Sequence, residues 1–283
     1  MIAPETSAFY SEPGVYSPAQ LVEWKKITDA EHAKGGKIFA QIWHAGRVAH
    51  PAMNGGAESV APSAISIDGV VHTPNVKAPH ATPRALRMDE LPGIVAQFAT
   101  ATRNAVDIAG FDRVEIHALN GYLIDQFLRD CDNTRMDAYG GSVENRARFL
   151  LEVVDAVVST IGADRVDSDV PALTMYIATR MNDLALAYEH VVRGDFQVQK
   201  DDQLGLFRRH YKGTLVANLA YTQGEAGAAI TAGDVDAVAF GSPFIANPDL
   251  VARFRTGGVL NTLASATFYT GGASGYTDYA VVP

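Results

Sequence analysis

The chain has 283 residues, 47% of them hydrophobic and 19% charged, which is typical of a globular protein with one sizeable core or two small ones. Its formal net charge of −9 argues against a general nucleic-acid binder, which normally carries a basic patch. One cysteine excludes an internal disulfide, and no apolar run approaches the ~20 residues of a membrane helix. The first residues lack the basic end and apolar core of a signal peptide. We therefore expect a cytoplasmic protein without nucleic-acid or membrane partners.

Apolar periodicity predicts helices and strands that alternate along the chain. The first half gives a helix over 18–34, a strand over 38–42, a long loop with short β-segments over 46–87, a helix over 88–110 and a strand over 111–116. The second half gives helices over 142–162 and 170–183, a strand over 184–190, a helix over 204–211, a strand over 214–218, a helix over 225–232, a strand over 235–240 and a helix over 248–254. Alternation of this kind predicts a parallel sheet with helices outside it. The pattern alone fits both an open doubly wound sheet and a (β/α)8 barrel, and no linker divides 1–283 into domains.

Three polar side chains follow directly from the strand over 111–116, namely His117, Asn120 and Tyr122. In a repeating βα protein, residues just past the carboxyl ends of the strands line the active-site mouth. An imidazole and a carboxamide can donate hydrogen bonds to a carbonyl or nitro oxygen, and a phenol can deliver a proton. Spacing alone leaves a second reading open, in which His117 caps the strand and Tyr122 packs under a loop.

Five separated segments resemble, in order and approximate spacing, the old yellow enzyme family of FMN-dependent ene-reductases. They are Lys37–Arg47, Arg113–Leu123, Asp137–Arg146, Ala239–Leu250 and Gly275–Tyr279. Within the family the chain looks nearest to the kinetoplastid members, which are described as prostaglandin F2α synthases. The resemblance implies a (β/α)8 TIM-type barrel, FMN as cofactor, NADPH or NADH as reductant and a small-molecule substrate. It also implies a monomer or homodimer that reduces the activated C=C bond of an α,β-unsaturated carbonyl compound.

The resemblance assigns a role to each matching position. His117 and Asn120 would bind the electron-withdrawing oxygen of the acceptor, and Tyr122 would protonate its α-carbon. Tyr269 resembles a family tyrosine near the substrate mouth, although a packing role fits it equally well. The positions assigned to FMN are Gln41 at the edge of the flavin ring and Ala220, Gly241 and Ser242 at the phosphate.

Some family features are missing from this sequence, which makes an incomplete barrel the expectation. The resemblance begins at the second family strand, so we expect the first strand with its flavin-contacting loop to be absent. After Val166 the family continues into a fifth strand that ends in an arginine reaching the flavin ring, whereas we expect no strand here. In many members an arginine stands at the position of Ser242 and a glycine at that of Ala220, so we expect a lower affinity for phosphate. The alternative function is therefore an inactive barrel fragment with lost or weak flavin binding.

Other chemistries lack their motifs. His44 and His50 have no matching Cys, Asp or Glu cluster that would complete a metal site, so we expect no metal. The sequence has no Gly-x-Gly-x-x-Gly after a strand, which argues against a Rossmann nicotinamide site. It also has no Gly-x-Ser-x-Gly, which weakens an esterase reading.

Overall fold

The structure is a computed structural model that describes residues 1–9, 12–74, 76–169, 175–193, 203–268 and 272–282. Its strands, numbered in chain order, are β1 (Phe39–Ile42), β2 (Val60–Ala61), β3 (Val70–His72), β4 (Lys77–Pro79), β5 (Arg84–Ala85), β6 (Arg113–His117), β7 (Val166–Asp169), β8 (Tyr188–Val192), β9 (Leu215–Asn218) and β10 (Ala237–Val238). Its helices are α1 (Pro18–His32), α2 (Leu91–Arg103), α3 (Leu123–Leu128), α4 (Val143–Ile161), α5 (Met175–Asn182), α6 (Gln203–His210), α7 (Gln223–Ala232), α8 (Ser242–Ala246) and α9 (Leu250–Thr256).

One parallel sheet of six strands forms the centre of the fold, in the order β1-β6-β7-β8-β9-β10. The order in the sheet follows the order along the chain, without the reversal that defines a doubly wound fold. Continuous winding of this kind is the arrangement of a (β/α)8 barrel, so the sheet order decides between the two folds that the pattern allowed. Within the described ranges, β1 and β10 are the end strands and no pairing joins them.

The loop predicted over 46–87 carries the expected short β-segments between β1 and α2. The strands β2 and β5 pair in parallel, and β3 and β4 form an antiparallel hairpin. The helix predicted over 88–110 is divided into a 3₁₀ turn at Met88–Glu90, then α2, then a π-helical turn at Asn104–Ile108.

Along β6, side chains alternate between the face that packs against the helices and the inner face of the sheet. Val114 and Ile116 of β6 are completely buried and belong to the apolar core that the sheet shares with α2 and α4. Because successive side chains of a strand point to opposite faces, Glu115 and His117 lie on the other face of β6. The inner face of this strand is therefore the polar one, although all four residues are buried.

Hydroxyl caps start several of the helices. Ser17, Ser142 and Thr222 each accept a hydrogen bond from the backbone N–H three residues later, at the starts of α1, α4 and α7. At α7 the cap is reciprocal, because the Glu225 carboxylate accepts the Thr222 N–H at 2.8 Å. No helix in the described part of the chain combines the length and apolarity needed to cross a bilayer.

The expectation that no strand follows Val166 is wrong. Val166–Asp169 form β7, which pairs with β6 through His117 opposite Asp169 and with β8 through Asp167 opposite Tyr188. Aspartate disfavours strands, but two flanking strands satisfy the backbone of β7 on both sides and override that preference. The strand ends in Asp169, whereas the family resemblance implies an arginine at the end of the corresponding strand.

The predicted bounds of helices and strands differ most from the observed ones in the second half of the chain. The helix predicted over 170–183 is Met175–Asn182, and positions 170–174 lie outside the described residues. The strand predicted over 184–190 begins only at Tyr188 and continues to Val192. The strand predicted over 235–240 contains only Ala237–Val238. Apolar runs locate these elements, but the pairing partner decides where each strand begins and ends.

Candidate active site

The candidate site lies at the carboxyl ends of β1 and β6, which are neighbours in the sheet. Trp43 follows the last residue of β1, and His117 is the last residue of β6. Tyr122 directly precedes α3. Because Ile42 is the register partner of Ile116, the next residues of the two strands, Trp43 and His117, also lie side by side.

Three aromatic rings form one wall of this site. The ring centroids of Trp43 and Tyr122 are 4.1 Å apart, those of His117 and Tyr122 are 5.3 Å apart, and those of Trp43 and His117 are 6.0 Å apart. His117 is buried, whereas Tyr122 is half-buried. The structure therefore brings together the imidazole and the phenol that the sequence picks out, and adds an indole to them.

Asn120 lies in the tight turn between His117 and Tyr122, with its side chain exposed. Its backbone is left-handed at φ 60°, a conformation that asparagine tolerates better than most residues, and Gly121 follows at φ 75°. Asn120 therefore lies between the imidazole and the phenol in sequence, in a turn that leaves it exposed.

A completely buried glutamine, Gln126 of α3, holds this turn against the loop after β1. Its amide nitrogen donates to the Gly121 carbonyl at 2.6 Å and to the Ala45 carbonyl at 3.3 Å. Its amide oxygen accepts the Arg47 N–H at 3.2 Å. Gly46 has φ 61°, and a Cβ there would collide with the Gln126 amide, so this contact requires glycine. No sequence pattern points to Gln126, since Ala45 and Arg47, two of its three partners, lie 81 and 79 residues away along the chain.

His44 supports the site as a neutral ring. Burial lowers its pKa to about 3, and its Nδ1 accepts the Gly46 N–H at 3.0 Å. Its backbone carbonyl accepts the Leu123 N–H at 3.0 Å, which joins the loop after β1 to the start of α3. His44 is therefore a structural residue. No group of three or more His, Cys, Asp or Glu side chains suited to a metal ion occurs in the described part of the chain.

Gln41 belongs to a polar network on the inner face of the sheet. It lies on β1 opposite Glu115, and its amide nitrogen donates to the Glu115 carboxylate at 2.5 Å. The same carboxylate accepts the Tyr188 hydroxyl at 3.1 Å and lies 3.1 Å from Nδ1 of His190. Burial alone would raise the pKa of Glu115, but the hydrogen bond and charge of His190, with Gln41 and Tyr188, outweigh it and lower the pKa. Gln41 itself remains exposed.

Asp167 places a second carboxyl group beside this network. It is the register partner of Glu115, is completely buried, and lies 3.9 Å from the Arg113 guanidinium. Both of its carboxyl oxygens are buried, beside Tyr188 of the neighbouring strand. Burial, reinforced by the Glu115 charge and opposed by Arg113, raises the pKa of Asp167 to about 7. Polar residues at every second position of β6, namely Arg113, Glu115 and His117, are the sequence signal that indicates a polar inner face.

The positions assigned to the phosphate lie at the carboxyl ends of β9 and β10. Leu219 and Ala220 follow β9 and are both left-handed, at φ 83° and φ 52°. Gly241 precedes α8, Ser242 is its first residue, and both are exposed. Ala220 and Gly241 lie in the connections that follow β9 and β10, which are neighbouring strands, and Ser242 begins the helix after the second connection. Tyr269 lies outside the described residues.

Comparison with known proteins identifies relatives over the whole chain. Residues 1–180 match the NADH:flavin oxidoreductase / NADH oxidase family. A Leishmania infantum protein named probable flavin mononucleotide-dependent alkene reductase is 43% identical over 293 residues, which covers 96% of this chain and 80% of the relative. The 12-oxophytodienoate reductase 2 of Arabidopsis thaliana is 40% identical and covers 94% of this chain and 77% of the relative.

Solved structures give the same relationship. The old yellow enzyme from Trypanosoma cruzi superposes with a TM-score of 0.96 at 36% identity, covering 100% of this chain and 84% of that one. Morphinone reductase in complex with tetrahydroNAD superposes with a TM-score of 0.93 at 40% identity, covering 100% of this chain and 83% of that one. These similarities confirm the TIM-type barrel fold, and the chain spans about five sixths of these structures' length.

Proposed function

Because the chain belongs to the NADH:flavin oxidoreductase / NADH oxidase family, we propose that it is an FMN-dependent reductase of activated C=C bonds, with NADPH or NADH as reductant. The substrate class is an α,β-unsaturated carbonyl compound or a similar small acceptor. The observation that carries this proposal is the 5.3 Å approach of the His117 and Tyr122 rings, with Asn120 in the turn between them, where strand ends meet.

The donor set of the site fits FMN. Gln41 is exposed and carries an amide that can meet the polar edge of the flavin ring. Asn218, at the end of β9, has a buried side-chain oxygen without a hydrogen-bond partner in the described part of the chain, and a ribityl hydroxyl can donate to it. A Cβ built on Gly241 meets no atom within 4 Å, so the backbone next to Ser242 is open to an approaching phosphate. Ala220, in the neighbouring loop, completes the phosphate end.

His117 and Asn120 bind the acceptor oxygen in this proposal, and Tyr122 donates the proton. FMN, when bound, supplies the hydride that reaches the β-carbon. Hydrogen bonds from the imidazole and the carboxamide withdraw electron density from that carbon and stabilise the developing enolate. The Tyr122 hydroxyl then protonates the α-carbon. Tyr269 is assigned to the substrate mouth on the family resemblance alone.

The acceptor-binding pair is tested with a phenolic ligand. In this family a phenol lies over the flavin and produces a long-wavelength charge-transfer band. We expect the double variant His117→Ala/Asn120→Ala to lose the band while keeping the flavin spectrum, because both hydrogen-bond donors to the phenolate are removed. His72 is an exposed histidine of β3, and His72→Ala is therefore the control, which should leave the band unchanged. A band of unaltered intensity in the double variant contradicts the assignment.

An inactive barrel fragment with weak flavin binding is the second candidate function. It is favoured by the phosphate end, where Ser242 brings no charge and two residues other than glycine occupy left-handed conformations. A protein that purifies without flavin and is not loaded by added FMN supports this candidate. A yellow protein whose flavin absorbance is bleached by NADPH supports the reductase.

Narrower assignments belong to the same proposal. Prostaglandin F2α synthesis is one, and it rests on the resemblance of the sequence to the kinetoplastid family members. We also propose that residues 1–283 act as a single domain. The described positions assigned to the substrate and the flavin ring lie on β1 and at or after the end of β6, those assigned to the phosphate lie after β9 and β10, and all four strands belong to one sheet.

A further inference from the structure

We propose that Arg193 is a positioning residue for FMN, because it clamps the β9–α7 loop (Leu219–Thr222) in the left-handed conformation that the phosphate end of the site presents. This inference rests on the proposed function for the identity of the ligand. The clamp itself is a property of the protein without FMN.

The β9–α7 loop needs a clamp because its sequence does not favour its conformation. Leu219 and Ala220 both have positive φ, at 83° and 52°. A Cβ makes this region unfavourable for residues other than glycine, asparagine and aspartate, and here two such residues are consecutive. A backbone held in this way persists only where its surroundings impose it.

Arg193 supplies contacts that impose this backbone. It directly follows β8, and its N–H donates to the Asn218 carbonyl at 3.2 Å, so its backbone is fixed next to the end of β9. Its guanidinium donates to the Ala220 carbonyl at 2.9 Å and lies over the Tyr221 ring at 4.0 Å from the centroid. One side chain therefore holds both the second left-handed residue and the residue after it.

The same guanidinium nitrogen that donates to Ala220 also lies near the start of α7. This nitrogen, Nη2, lies 3.6 Å from the Glu225 carboxylate, which also accepts the Thr222 N–H at 2.8 Å and the Thr222 hydroxyl at 3.0 Å. The arginine thus joins β8, the loop and the cap of α7 in one network. Because Glu225 balances part of its charge, we assign to Arg193 the placement of the loop rather than a salt bridge to phosphate.

The decisive experiment compares Arg193→Ala in two loops, the natural loop and the Leu219→Gly/Ala220→Gly loop, by titrating FMN and following the quenching of its fluorescence. Glycine adopts positive φ freely, so the clamp is needed only in the natural loop. We expect Arg193→Ala to weaken FMN binding about tenfold in the natural loop and less than about threefold in the glycine loop. Equal weakening in both loops, or none in the natural loop, overturns the proposal.

Arg193→Lys separates placement from charge. Lysine keeps the positive charge but lacks the planar fork that bonds the Ala220 carbonyl while stacking on Tyr221. We expect this variant to bind FMN as weakly as Arg193→Ala, and full affinity in it contradicts the clamp. Arg208→Ala is the matched control, since Arg208 also bonds backbone carbonyls and lies 5.9 Å from the centroid of a tyrosine ring, but before the start of β9. It should leave FMN affinity unchanged.

Amide hydrogen exchange of the full chain without FMN tests the clamp independently of the cofactor. We expect the amides of the β9–α7 loop to exchange faster in Arg193→Ala than in the natural protein or in Arg208→Ala. Unchanged loop exchange in Arg193→Ala overturns the clamp whatever the affinity for FMN. A natural chain that binds no FMN refutes the proposed function instead, and loop exchange then decides the clamp alone.

Discussion

Tyr122 lies against His117 and Trp43 with its hydroxyl-bearing ring half-buried, which suits a proton donor at the edge of a substrate pocket. Only reoxidation of the reduced protein by an enone needs that proton, whereas reduction by NADPH does not. We expect Tyr122→Phe to slow the oxidative half-reaction by about 10²–10⁴-fold, the usual contribution of general acid catalysis, and to leave the reductive one nearly unchanged. Anaerobic stopped-flow absorbance measures the two rates separately. Equal effects on both would assign the ring to packing.

Asp167 should make stability depend on pH in a direction opposite to that of ion-paired carboxylates, whose pKa values are lowered by folding. Its pKa is raised from 3.8 to about 7, so the folded state retains a proton that the unfolded state has already lost. The stability that this proton contributes is complete below pH ~4 and is lost as the pH rises through ~7. We expect Asp167→Asn and the natural protein to have similar free energies of unfolding at pH 4.

At pH 8 the variant should be the more stable, by at most about 4 kcal/mol, since one pKa unit corresponds to ~1.4 kcal/mol. Urea unfolding at a series of pH values measures the difference, with the exposed Asp68→Asn as control. A difference that stays constant from pH 4 to pH 8 would show that Asp167 does not titrate in this range.

The presence of β7 determines how the arginine that the family resemblance implies could be introduced. Since β7 is present and ends opposite His117, the arginine implied by the family needs a substitution at Asp169 rather than an inserted strand. The N1 edge of a flavin ring accepts hydrogen bonds, which an arginine can donate and an ionised aspartate cannot.

We expect Asp169→Arg to raise the fraction of protein that purifies with FMN, measured as the ratio of flavin to protein absorbance. Asp169→Asn, which only removes the negative charge, should give a smaller increase. Flavin content that falls in both variants would mean that Asp169 itself supports the cofactor.

The elements that sequence alone predicts are those whose signal is local. Helical spacing predicts α1 and α4, and the apolar run before His117 predicts β6, together with the residues that follow it. The residues it misses have partners far along the chain. Gln126 bonds Ala45, and Glu115 bonds Tyr188 and Gln41. The strand β7 was missed because its aspartates are poor strand formers, and only the flanking strands explain it.

Backbone conformation is the other property that sequence conceals at this site. A glycine at position 219 or 220 would have indicated a left-handed turn, but leucine and alanine carry no such signal. The role of Arg193 is hidden for a different reason. It depends on the fold, which brings the end of β8 next to the loop after β9.

At the scale of the whole molecule, the sheet order assembles one site from distant parts of the chain. Winding in chain order places the strand carrying Gln41 beside that carrying His117, and β9 beside β10. The part of the site assigned to the flavin ring thus contains hydrogen-bond donors for it. The part assigned to the phosphate has no positive charge at Ser242. We therefore expect the affinity for FMN to be low, and the reduction of the acceptor to proceed normally once FMN is bound.

An anaerobic titration of the purified protein, loaded with excess FMN and then freed of unbound flavin, tests this most directly. We predict a bound-flavin spectrum that is bleached by one equivalent of NADPH or NADH and restored by one equivalent of an enone such as cyclohexenone. The saturated ketone should appear in the same amount. Flavin that stays bound and is bleached, but is not restored by any activated alkene, would contradict the assignment of this protein as an ene-reductase.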